Sequence, residues 1–224
     1  MNIGIKDVLQ QIRLFFIPYL LILCACLVIK LVYSREAIYF AVNSANSTWA
    51  DYIAPYITDI GNGWTVIILA VIFALFNFRG AFLIATSYGI TSILVQIVKR
   101  IVGAPRPKLY FYDQLSHIHF VKGMYIDTFD SFPSGHTVTA FSAAIAITYL
   151  SKNKGWAIPL LLIAILVGCS RMYLSEHFFE DVVAGSIMGA VVTVFWLTWL
   201  DNRKFLHTPG WNKGLIALLL GKKL

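Results

Sequence analysis

Apolar residues along this chain gather in long blocks rather than in the one-sided stripe of a soluble amphipathic helix. The first block runs from about Leu14 to Tyr33, close to the ~20 residues a helix needs to cross hydrocarbon. Further blocks at 64–78, 81–98, 135–150, 156–169 and 181–200 predict five more spans. The pair Arg79-Gly80 reads as the turn between the second and third, and residues 151–155 as the turn after the fourth. Residues 36–62 are of mixed polarity, with Ile38, Val42, Ala45, Trp49, Tyr52 and Tyr56 spaced by threes and fours. That stripe predicts a helix along the membrane interface, broken into two pieces at Pro55. The expected fold is therefore all-α and polytopic, with six transmembrane helices and an interfacial segment between the first and second. A polar loop over 99–133 and a basic tail over 201–224 complete a single domain, 1–224.

Composition agrees with the pattern. Of 224 residues 58% are hydrophobic and 13% charged, and the mean hydropathy is +0.74. These values exclude an ordinary soluble domain. Cys24, Cys26 and Cys169 all lie in apolar runs and read as small buried hydrophobes, not a disulfide framework or zinc site. The first apolar run is too long for a cleavable signal peptide, and no small-residue cleavage site follows it.

A net charge of +7 in a soluble chain would suggest nucleic acid. Here the layout of charge explains it instead, and no nucleic-acid partner is expected. Six spans put both termini on one side, with Lys6, Arg13, Arg79, Lys152, Lys154, Arg203, Lys204, Lys213, Lys222 and Lys223. Those ten basic residues face only Asp7 and Asp201, whereas the opposite side holds eight basic and nine acidic residues. The positive-inside rule then predicts cytoplasmic termini in a multi-pass cell (inner) membrane, with the 99–133 loop and the 170–181 segment extracytoplasmic.

Candidate chemistry sits in three places on that outer side. Residues 170–181 read Ser-Arg-Met-Tyr-Leu-Ser-Glu-His-Phe-Phe-Glu-Asp. If a helix has begun by Ser175, His177 and Asp181 share one face, where the carboxylate can orient the imidazole as a base or nucleophile. Arg171 adds a fork of donors suited to phosphate. The same residues would also serve as a polar clasp between helices. In the loop, Lys99 and Arg106 leave the third span without nearby acidic partners, and Pro105 and Pro107 stiffen the arginine between them. Interfacial anchoring would also account for such a pair, but an anchor rarely needs an arginine held between two prolines. Pro133-Ser134-Gly135-His136 opens the fourth span, with Ser134 at the N-cap and His136 on the first turn. A helix start of this kind is either an ordinary cap or an anion site with a proton donor beside it.

Together these clusters offer cationic clamps, a helix N-terminus and two histidines, which is the equipment of phosphoryl transfer through a phosphohistidine. Lys99-x6-Arg106-Pro107, Pro133-Ser134-Gly135-His136 and Ser170-Arg171-x5-His177-x3-Asp181 resemble the three signature motifs of the type 2 phosphatidic acid phosphatase family. The soluble, longer vanadium haloperoxidases share them. The resemblance implies that His177 is the nucleophile, Asp181 orients it and His136 protonates the leaving oxygen. It implies that Lys99, Arg106, Ser134, Gly135 and Arg171 bind the phosphate, with no metal or other cofactor.

The implied activity is hydrolysis of a phosphorylated or diphosphorylated lipid at the outer face. Candidates are undecaprenyl diphosphate, phosphatidylglycerol phosphate, phosphatidate and a lipid A phosphate. The expected partners are that substrate and membrane lipids, with no obligate protein partner indicated. A lipid-to-lipid phosphotransferase could use the same site. A transporter or scaffold is disfavoured by the intact motifs and by the lack of ionisable residues deep in most spans. Gly185 and Gly189 extend the His177–Asp181 face as a small-xxx-small pattern for close helix packing. The His117-x-His119 pair lacks further metal ligands; the loop aromatics Tyr110, Phe111, Tyr112, Phe120, Tyr125 and Phe129 would suit a lipid headgroup entrance but read more simply as interfacial belt residues.

Overall fold

A computed structural model describes residues 3–221, and among them no strand occurs. The helices are α1 (Ile5–Gln11), α2 (Arg13–Val32), α3 (Arg35–Ser44), α4 (Thr48–Ile60), α5 (Gly63–Phe76) and α6 (Phe78–Val102). They continue with α7 (Pro107–Tyr110), α8 (Gly135–Leu150), α9 (Ala157–Tyr173), α10 (Phe179–Leu200) and α11 (Leu215–Leu219).

The centre of the bundle is α8, packed against α6, α9 and α10. Eleven of its sixteen residues are buried. It is apolar all round because it has protein on every side. Contact with α10 is close: a Cβ on Gly185 would lie 2.7 Å from the Ser134 carbonyl oxygen, and one on Gly189 would lie 2.6 Å from that of Val138. The expected glycine face is therefore used for packing, and it locks the start of α10 beside the start of α8.

Two ends of the bundle differ sharply. At one, Ile3 and Asn202 exchange two hydrogen bonds of 2.7 Å. Arg79 donates to both oxygens of Asp201, at 2.9 and 2.5 Å, and the Tyr149 hydroxyl donates to the same carboxylate at 2.6 Å. The start of α6, the ends of α8 and α10 and the N-terminal segment thus meet there. The tail returns to this end, where Lys213 and Trp211 carbonyls accept from the Phe78 and Arg79 amides. At the opposite end lie the end of α6, the start of α8, the end of α9 and the start of α10, which carry the three motifs. Lys222 and Lys223 of the basic tail fall outside the described residues.

Among the described residues four helices, α2, α6, α9 and α10, are long and apolar enough to cross a membrane. A fifth crossing is counted if α4 and α5, bent by 53° at Gly61-Asn62, form one broken span. At sixteen residues, α8 reaches roughly 24 Å, short of the ~30 Å of a bilayer core.

Five expectations are corrected. Cys24 and Cys169 are exposed on the bundle rather than buried, and Phe111 packs against Tyr39 and Phe178 rather than facing outward. Arg79 and Gly80 do not form a turn; they lie inside α6. The chain breaks at Asn77 alone, whose side chain caps α6 by accepting from the Gly80 amide at 2.7 Å. Pro55 does not split the interfacial segment but sits within α4, and the break falls at residues 45–47. The break also divides the predicted stripe: Ile38 is buried, whereas Trp49, Tyr52 and Tyr56 face outward on α4. Lastly, α6 and α9 run past their expected ends, so Lys99 and Arg171 are last-turn residues of helices rather than loop residues.

Candidate active site

His177 is buried between α9 and α10, outside both helices, because α10 begins only at Phe179. The anticipated shared helical face is therefore absent, yet His177 Nδ1 lies 3.6 Å from Asp181 Oδ2. Asp181 is held by the helix start itself: Oδ2 accepts the Phe178 amide at 2.9 Å. It also accepts the Ser131 hydroxyl at 2.6 Å, and that same hydroxyl oxygen is 3.4 Å from His177 Nδ1. Ser131 thus stands between carboxylate and imidazole. With Nδ1 directed at this pair, Nε2 is the free nitrogen. Burial, reinforced by the charges of Arg171, Arg106 and Lys99 and by His136, holds the imidazole well below its ordinary value, so it is neutral.

Three cations gather beside it, all with buried side chains. Lys99 donates to the Asp130 carbonyl at 2.5 Å, and its Cε lies 3.9 Å from where a Cβ on Gly135 would stand. Arg106 gives Nε to the Phe129 carbonyl at 2.9 Å and its terminal nitrogens to Glu176 and Asp127. Arg171 gives Nη1 to the Thr58 hydroxyl at 2.8 Å. Its Nη2 lies 3.4 Å from Glu176 Oε2, while its Nε is buried without a hydrogen-bond partner. A buried donor with no acceptor is costly unless a ligand supplies one. Burial pushes the Glu176 carboxyl up, opposed by Arg171 and Arg106.

Ser134 occupies the N-cap position of α8, but its side chain does not cap the helix; its Oγ accepts from the Thr137 hydroxyl at 2.8 Å. Its amide instead donates to the Asp181 carbonyl at 3.0 Å, tying the second motif to the third. His136 lines a cavity of about 190 Å³ with Gly135, Gln96 and Tyr88. Lys99 and Arg106 line a second, polar cavity of about 330 Å³, and Gln96 borders both.

The segment expected at the interface braces the site from above. Tyr39 and Asn43 of α3 both donate to the Ser175 hydroxyl, at 2.9 and 3.2 Å, and Thr58 of α4 positions Arg171. Ser175 and Asp130 both have φ of +58°, a region unfavourable for these residues, and each directly precedes a site residue, Glu176 or Ser131. His119 Nε2 pairs with Asp51 at 2.9 Å, fastening the loop to α4. Among the described residues no group of three or more His, Cys, Asp or Glu is placed to hold a metal ion.

All eight candidate residues therefore lie at one end: His177, Asp181, His136, Lys99, Arg106, Ser134, Gly135 and Arg171. Sequence reasoning missed Ser131, Glu176 and Thr58. Glu176 stood inside the third motif and Ser131 two residues before the second, but Thr58 carried no local signal.

The chain is similar to several known proteins. Phosphatidylglycerophosphatase B of Bacillus subtilis is 29% identical over 189 residues, covering 78% of this chain and 87% of that protein. A crystal structure of a transmembrane PAP2-type phosphatidylglycerolphosphate phosphatase from Bacillus subtilis superposes with a TM-score of 0.62 at 26% identity. It covers 87% of this chain and 98% of that one. The bacitracin transport permease protein BcrC of Bacillus licheniformis is 29% identical over 118 residues, or 53% of this chain. The chain spans only 56% of the length of that protein. It spans 45% of lipid phosphate phosphatase 1 of Arabidopsis thaliana and 43% of a lipid A 1-phosphatase of Rhizobium johnstonii. The PAP2 superfamily model matches residues 80–205, more than half of the chain and all three motifs. This protein, carrying its motifs at one end of a multi-pass helical bundle, belongs to the PAP2 superfamily, the type 2 phosphatidic acid phosphatases.

Proposed function

We propose that this chain, as one domain of residues 1–224, is an integral-membrane lipid phosphatase acting through a phosphohistidine. One observation carries the reading: the buried, partnerless Nε of Arg171 lies in a cluster with Lys99, Arg106 and the neutral imidazole of His177. A phosphate is the anion that such a cluster fits.

In the first step, His177 Nε2 attacks phosphorus while the bond from phosphorus to the lipid oxygen breaks. His136 gives its proton to that departing oxygen. Asp181, with Ser131 between, holds Nδ1 and stabilises the positive charge that develops on the ring. Water then attacks the phosphorus of the phosphohistidine as the bond to Nε2 breaks and its electron pair returns to the imidazole; His136 takes a proton from the water, and inorganic phosphate leaves. Lys99, Arg106 and Arg171, with the α8 start at Ser134-Gly135, hold the phosphate oxygens. These cations supply the charge stabilisation that a metal supplies elsewhere, so the proposed reaction is metal-independent.

The lipid chain has a place to lie. An apolar groove of about 790 Å³ runs between α5 and α6, and Tyr88 lines both it and the His136 cavity. The substrate in this reading is undecaprenyl diphosphate, phosphatidylglycerol phosphate or phosphatidate; the name of the Rhizobium relative extends the range to a lipid A phosphate. The chain crosses the membrane six times, through α2, α5, α6, α8, α9 and α10, with cytoplasmic termini and an extracytoplasmic site.

Purified protein assayed for phosphate release against these lipids tests the reading. Turnover of at least one lipid, abolished in folded His177→Ala protein, is expected. His136→Ala should slow a basic leaving group more than an acidic one. Appreciable release by His177→Ala would remove the covalent step.

A further inference from the structure

Arg106 and Arg171 differ in what they can offer an incoming anion. Every nitrogen of Arg106 already faces a protein acceptor: Nε the Phe129 carbonyl, the terminal pair Glu176 and Asp127. Arg171 keeps a free Nε, although its Nη2 lies 3.4 Å from the same Glu176 Oε2. A phosphate can therefore add to Arg171 but reaches Arg106 only by loosening an existing acceptor. Asp127 is more than half exposed, at 53%, whereas the Glu176 side chain is buried, at 6%, between both guanidiniums. The low-dielectric contact is the stronger of the two.

Three clustered cations repel one another when no anion is present. A carboxylate between two of them lowers that cost and keeps the clamp assembled. Once phosphate enters, the same carboxylate repels it and competes for its donors.

We propose, on the basis of the phosphatase reading above, that Glu176 is an internal counter-anion that competes with phosphate for Arg106 and Arg171. It thereby sets how tightly the site retains its inorganic phosphate product. Glu176 is in this sense a positioning residue: it acts through the arginines and takes no part in the bond changes. Release of product limits many well-evolved enzymes, which gives a weakened grip a kinetic value.

Glu176→Gln keeps the side-chain shape and removes the charge. Inorganic phosphate and orthovanadate should then inhibit about tenfold more strongly, with kcat and KM both falling as product is held longer. Glu176→Asp, which draws the charge back by one methylene, should give inhibition constants between wild type and Glu176→Gln, and it carries the test alone if Glu176→Gln does not fold. A Glu176 that only braces the arginines would instead give weaker inhibition in these variants, and unchanged or weaker inhibition overturns the proposal. Binding is also read without turnover, as the phosphate-induced rise in Tm of detergent-solubilised protein. If no lipid phosphate is turned over while Glu176→Gln still binds phosphate more tightly, the phosphatase reading fails and the counter-anion stands. If lipids are turned over but phosphate binding is not tightened, the counter-anion fails alone.

Discussion

Ser131 donates its hydroxyl to Asp181 across 2.6 Å, a shorter contact than the 3.6 Å between Asp181 and His177. The serine oxygen, 3.4 Å from His177 Nδ1, completes a chain from carboxylate to imidazole. A hydrogen bond to a charged group contributes about 1.5–3 kcal/mol, roughly a tenfold or larger effect on rate if it acts in the transition state. Ser131→Ala is therefore expected to lower kcat about tenfold and leave KM nearly unchanged. Steady-state kinetics on whichever lipid phosphate is turned over decide this. An unaltered kcat would reduce Ser131 to packing.

The neutral state of His177 sets a pH dependence. Its folded pKa lies below the ordinary 6.5. Below about pH 6.5 the unfolded chain takes up a proton that the folded chain refuses, so this group removes stability as pH falls and removes none above that value. His177→Gln should therefore shrink the drop in Tm between about pH 7.5 and about pH 5.5. For the active protein, protonation of His177 should not bring an acid limb near pH 6.5 in kcat/KM, because free enzyme keeps Nε2 unprotonated there. A limb at that value that vanished in no other variant would contradict the burial argument.

Sidedness follows from charge and can be measured directly. Ser116 in the loop and Asn153 after α8 are both exposed and lie at opposite ends of the bundle. In a background lacking Cys24, Cys26 and Cys169, a membrane-impermeant maleimide on intact cells should label a cysteine at 116 and spare one at 153. The reverse pattern would invert the protein and assign it a cytoplasmic-leaflet substrate.

Far from the chemistry, Asp201 is fully buried and accepts two bonds from Arg79 and one from Tyr149. Removing one partner of a buried pair costs about 3–5 kcal/mol, because the other charge is left behind. Asp201→Asn should lower Tm markedly in detergent while turnover per folded molecule stays near wild type. Loss of turnover with an unchanged Tm would couple the two ends of the bundle in a way this packing does not.

Much of the arrangement was legible in the chain itself. Hydrophobic blocks depend on local composition, so the positions of the long helices could be read without a partner in view, and α8 matches its expected range of 135–150. The three motifs were legible for the same reason: each is a short run whose residues sit on one helix end or one turn. Glycines four apart announced close packing, which Gly185 and Gly189 fulfil against α8.

What lay beyond the sequence is what depends on contact between distant segments. His177 and Asp181 were expected to meet through helical spacing, yet α10 begins after His177, and Ser131, 50 residues before Asp181, links the two. Thr58 holds Arg171 from 113 residues away, and Asn43 reaches Ser175 from 132 away. An aromatic stripe singled out the α4 segment, but nothing in its pattern distinguished an inward threonine that orients an arginine from one that merely fills space. Helix propensity and hydropathy act over a few residues and so can be read in order. Which buried donor finds which acceptor is decided only when the bundle closes, because each polar group taken from water must be satisfied by whatever the fold brings to it.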